Sequence, residues 1–138
     1  MLSSNVRLIN YCYRSGKCYK LKIVYKVTSP TLTVYSSDTS DANGTAVIIC
    51  AGGGFDFFAI NSEGNDVANW LAKKGINSFV LRYRVTLTFT NDPMREFMEK
   101  VGNPEFEQQA KLIVPLAVCI CIQRWTRLRY ALTASFDR

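Results

Sequence analysis

The chain has 138 residues, of which 48% are apolar, 12% aromatic and 20% charged. That is the composition of an ordinary folded domain; it excludes disorder, collagen and coiled coil, and the length suits one domain with a real core. There is no histidine, which excludes every mechanism resting on an imidazole base and most zinc sites. The net charge of +6 is concentrated at the ends: residues 1–29 carry six basic side chains and no acid.

The N-terminal stretch interleaves basic and aromatic side chains (Tyr11, Tyr13, Arg14, Lys17, Tyr19, Lys20, Lys22, Tyr25, Lys26). A nucleic-acid ribbon would need this mixture on one face of a recognisable module. A polar strand or loose basic tail is the plainer reading, and no nucleic-acid partner is expected. The start shows no secretory signal, so a genuine start would place the chain in the cytoplasm. Five cysteines stand at 12, 18, 50, 119 and 121 without any C-x-x-C. They read as thiols outside disulfides and metal sites, in a reducing compartment. Residues 20–27 and 31–35 alternate like half-buried strands. The Asn43-Gly44-Thr45 sequon reads equally as a turn.

Residues 45–50 (TAVIIC) are nearly all apolar, as in a parallel strand covered on both faces. Gly52-Gly53-Gly54 ends that strand. A helix is expected over 63–74, capped by Asn61 or Ser62, with Glu63 and Asp66 at its positive end and Lys73-Lys74-Gly75 at its close. A second apolar strand follows over 77–83. The order strand, glycine loop, helix, strand makes a βαβ unit, for which a right-handed crossover is expected. The longest apolar run, 112–122, is eleven residues and contains Pro115, too short to span a membrane.

Three glycines after a buried strand suit few chemistries. A phosphate cradle needs a following lysine or a helix directly after the loop, and this chain has neither. Successive N–H groups aimed at one point, with no Cβ in the way, would make an oxyanion hole. A plain tight turn fits the glycines equally well.

The flanking residues carry a resemblance. Gly52-Gly53-Gly54-Phe55, then Glu63-Gly64, Val67-Ala68, Trp70-Leu71 and Arg82-Tyr83-Arg84, resemble the N-terminal half of an α/β-hydrolase, in the bacterial esterase/lipase-like group that includes acetylxylan-esterase and dienelactone-hydrolase-like relatives. The match is strongest over 23–85, while 1–20 and 119–138 are atypical. It implies an α/β fold: an incomplete α/β-hydrolase domain over 1–138, with N-terminal strands and one βαβ crossover of a three-layer family architecture. It also implies an oxyanion hole at Gly53, Gly54 and Phe55, supported by Gly52, for a small ester or acetylated sugar, without metal or cofactor. Ala51 stands where the family has proline or histidine. No G-x-S-x-G elbow occurs, so no triad is identifiable and the chain is expected not to hydrolyse esters. Cys50 reads as a strand-end thiol. The change of character near Cys119 suggests a disrupted or truncated reading frame, leaving the 45–50 strand as an exposed edge prone to self-association. An anion-binding module, or an assembly or nucleic-acid-associated role for the basic ends, are the non-enzymatic alternatives.

Overall fold

The structure, a computed structural model, describes residues 4–12, 15–37, 45–104, 106–108, 111–115, 119 and 123. Tyr13, Arg14, Asn43, Gly44, Cys121 and the arginine-rich end lie outside the described residues, and with them the reading-frame question.

The N-terminal residues form a strand, β1 (Asn5–Cys12), paired antiparallel with β2 (Cys18–Tyr25) so that Asn5 faces Tyr25 and Cys12 faces Cys18. After β3 (Thr31–Tyr35) and β4 (Ala46–Cys50), a short strand, β5 (Phe57–Ala59), returns to pair with β2. A π-helical turn (Ile60–Asn65) runs into α1 (Asp66–Ala72), then β6 (Asn77–Arg82) and α2 (Pro93–Lys100). Among the described residues two three-stranded sheets result, ordered β1-β2-β5 and β3-β6-β4. The architecture is mixed α/β. β4 and β6 pair in parallel across α1, while β3 joins β6 antiparallel. Among the described residues no helix is long and apolar enough to cross a membrane.

The alternation of β2 explains why two cores form. Val24 and Phe58 are cross-strand partners and point into the main core with Ile49, Ile60, Ala68, Val80 and Leu81. Ile23, Tyr25 and Phe57 point the other way and pack beneath Met94 and Phe97 of α2. A one-residue slip of β2 would exchange these two sets.

Several expectations are corrected. β4 is not covered on both faces: Ile49 is buried, Ala46, Val47 and Ile48 are half-buried and Cys50 is exposed, because β4 ends the described strand order. The helix over 63–74 begins as a π-turn, and α1 proper starts at Asp66 without a side-chain cap; neither Asn61 nor Ser62 serves. Its close does follow the expected chemistry. The Ile76 N–H donates to Leu71 C=O and the Gly75 N–H to Ala72 C=O, with Gly75 at φ 78°, a Schellman closure. Cys18 is disulfide-bonded, so the thiol reading does not hold for it. Strand pairing closes distances that spacing along the chain leaves open. Cys50 and Cys119 are exposed thiols.

Candidate functional site

The glycine loop is shaped by what surrounds each glycine. A Cβ on Gly52 would lie 2.6 Å from Glu63 Oε2, one on Gly53 2.0 Å from Phe57 O, and one on Gly54 2.3 Å from Phe97 Cε2. Gly53 (φ 147°), Gly54 (φ 62°) and Phe55 (φ 66°) are three successive residues at positive φ. The Gly53 carbonyl accepts from the N–H groups of Asp56 (3.2 Å) and Phe57 (3.3 Å), which closes a tight turn over Gly54 and Phe55 in the manner of the primed types. Phe55 is a bulky residue in a left-handed conformation that costs about 1–2 kcal/mol. Its ring lies 5.9 Å from that of Tyr83, and its carbonyl accepts from the Thr86 N–H at 2.8 Å. Those contacts hold it there.

The hydrogen bonds of the loop are unevenly shared. The Gly52 N–H donates to Glu63 Oε2 at 2.7 Å. Among the described residues, the N–H groups of Gly53, Gly54 and Phe55 have no protein acceptor. Gly52 and Gly53 stand on the wall of a cleft of about 570 Å³. Ser62, Glu63 and, from β2, Tyr19 and Lys20 are the polar side chains of its lining; Leu21, Phe57, Ala59, Met94, Phe97 and Met98 make the apolar remainder. Gly54 and Phe55 are not on this wall, so of the three expected oxyanion donors the structure brings one, Gly53, to the cleft.

Residues to which the sequence assigned no role brace the loop. The Tyr83 hydroxyl donates to the Ala51 carbonyl at 3.1 Å, so this member of the Arg82-Tyr83-Arg84 motif ties the end of β6 to the loop, while Arg84 Nε donates at 3.1 Å to the Thr28 carbonyl between β2 and β3. α2 forms the far wall. Asp92 caps it, accepting from the Arg95 N–H at 3.3 Å, with Pro93 in the first turn. Arg7 on β1 donates to the Asn91 carbonyl, joining the hairpin to the start of α2.

Beneath this wall lies a charge cluster. Asp56, fully buried, has its Oδ1 3.5 Å from Lys100 Nζ, which is 3.0 Å from Glu96 Oε1. Among the described residues neither Asp56 oxygen has a hydrogen-bond partner. Burial pushes the Asp56 carboxyl above its usual range, Lys100 opposes the shift and Glu96 adds to it. Burial alone would raise Glu96 too, but the Thr90 N–H, Lys100 and the Thr90 hydroxyl outweigh it and hold Glu96 below the usual range. Among the described residues no three histidine, cysteine or acidic side chains are grouped to hold a metal.

Compared with known proteins, the chain matches no family model, no curated protein and no solved structure.

Proposed function

We propose that this chain is a relative of the esterase-type α/β-hydrolases that binds the carbonyl of a carboxylic ester at the glycine loop without itself turning the ester over. The observation that carries the reading is the Gly53 N–H, which has no acceptor among the described residues and stands on the cleft wall. A backbone donor held at a fixed angle by a tight turn is the preorganised element that acyl chemistry needs. Turnover needs more than a donor. The 138 residues contain no histidine and no G-x-S-x-G, so the nucleophile–base pair of a serine esterase is missing from them.

Glu63 favours a neutral carbonyl over an anion. Its carboxylate occupies the neighbouring N–H, that of Gly52, and lines the same cleft. A phosphate or carboxylate at Gly53 would face that charge, which weighs against the anion-binding alternative despite Lys20 on β2.

Chemical-shift titration tests the reading. A neutral ester such as methyl acetate should move the Gly53 amide resonance and remain intact, with no fluorophosphonate labelling of the protein. Hydrolysis of the ester, or an unmoved Gly53 amide at saturation, overturns it.

Self-association is a second reading. β4 closes the described order β3-β6-β4, and its half-buried Val47 and Ile48 offer apolar surface at that flank. Sedimentation velocity should then give a larger species as concentration rises, reduced by Ile48→Lys.

A further inference from the structure

The cleft joins a backbone donor to a lining that is mostly apolar, and that chemistry selects the ligand. We infer that, if the carbonyl-binding reading above holds, the ester bound here carries an aryl or medium-length alkyl group and is not an acetylated sugar. The Gly53 N–H provides one directional donor for the carbonyl oxygen. Besides Tyr19, Lys20, Ser62 and Glu63, the lining side chains are thioether, aromatic and aliphatic: Met94, Phe97 and Met98 on α2, with Phe57 and Leu21 from the strands. Phe57 and Phe97, both on the cleft wall, meet edge to face, with centroids 5.7 Å apart and planes at 86°. Aromatic and polarisable thioether surfaces hold flat or flexible apolar groups well.

Size and hydrogen bonding both count against a sugar. A cleft of about 570 Å³ lies in the range that encloses a small organic molecule and leaves most of its space empty around an acetyl group alone. Lys20, Ser62 and Glu63 can each meet a hydroxyl, but a sugar ring filling that space would also place hydroxyls against Met94, Phe97, Met98 and Leu21, whose side chains supply no strong donor or acceptor. Each hydroxyl left without a partner is penalised. An aryl or alkyl chain meets no such penalty.

The test uses protein labelled with 15N throughout and with 13C in the methionine methyl groups, the Met94 and Met98 signals being assigned through Met94→Leu and Met98→Leu. The probes are methyl 3-phenylpropanoate and monoacetylated xylobiose, which keeps its other hydroxyls free. Expected is a joint, saturable shift of the Gly53 amide and both methyl signals with the phenylpropanoate, at least tenfold tighter than with the sugar. Met94→Ser/Met98→Ser should weaken that binding at least fivefold while the amides of β3, β4 and β6 stay in place. If the acetylated sugar moves Gly53 as tightly or more tightly, the aryl assignment is overturned and the carbonyl reading stands. If the phenylpropanoate moves the methyl signals and leaves Gly53 unmoved, the carbonyl reading fails, and the ester assignment with it. Binding by neither probe overturns the inference.

Discussion

Gly53 and Gly54 differ in what an added methyl group would strike. At Gly53 the obstacle is the Phe57 backbone carbonyl, 2.0 Å away, at a φ of 147° that side chains avoid. At Gly54 it is the tip of the Phe97 ring, 2.3 Å away, on a helix that can yield. Gly53→Ala should therefore cost about 2 kcal/mol or more in denaturant unfolding, and Gly54→Ala clearly less, at the expense of a displaced Phe97. Glu63 separates charge from hydrogen bonding. Glu63→Gln keeps an acceptor for the Gly52 N–H and should leave stability nearly unchanged, while Glu63→Ala strands that donor and should cost about 1 kcal/mol. The same Glu63→Gln change should strengthen binding of benzoate several-fold and leave methyl benzoate unaffected, read by titration of the Gly53 amide. Equal effects on the two ligands would mean that Glu63 does not discriminate by charge.

At the scale of elements, α2 is fastened to the glycine-loop turn through Lys100. This lysine neutralises a buried Asp56 and a largely buried Glu96, and Glu96 in turn accepts from the Phe89 and Thr90 N–H groups of the preceding loop. Lys100→Met leaves Asp56 charged and unpaired in the interior, and should destabilise the fold by about 3 kcal/mol, with Asp56→Asn in the same chain restoring most of the loss. The two acids respond to pH with opposite signs. Because the folded-state pKa of Asp56 is raised, the fold binds that proton more tightly than the unfolded chain does, and stability increases as pH falls through the raised value toward the usual carboxylate range near 4. Because that of Glu96 is lowered, its contribution is complete above that range and is lost as pH falls through the lowered value. Chemical denaturation should show a shallow stability maximum in mild acid, then a decline. Asp56→Asn should remove the rise and leave the decline; a rise that persists in this variant would assign it to another group.

The described residues divide into a main core under the sheet β3-β6-β4 and a smaller one between the hairpin and α2. The cleft continues the smaller core outward, so its integrity depends on how the hairpin is held. Cys18 is disulfide-bonded, and none of the main-core side chains comes from the turn end of the hairpin. Reduction should therefore cost about 2 kcal/mol and broaden the amide signals of Tyr19 and Leu21 before those of β4 and β6. Peptide mapping after alkylation should find Cys18 modified only when reductant is present. Uniform loss of all amide signals on reduction would show that the two cores are one cooperative unit.

What could be read from the chain alone was local. Strand apolarity, the glycine run and the Lys73-Lys74-Gly75 closure depend on neighbours a few residues away, so the β4–α1–β6 crossover and β3 were legible in the residue pattern itself. The short β5 and α2 were not: three residues of strand have no period of their own, and α2 is only eight residues long. The site divides in the same way. Positive φ at Gly53 and Gly54 follows from the residue type, but Phe55 adopts it only because Tyr83 and Thr86 hold it. That Glu63 occupies the Gly52 N–H, that Met94, Phe97 and Met98 wall the cleft, and that Gly53 alone of the three donors reaches it are decided by contacts between residues distant in the chain. Local pattern selects the elements; long-range packing selects which of their groups meet, because burial and hydrogen-bond satisfaction are properties of the assembled fold.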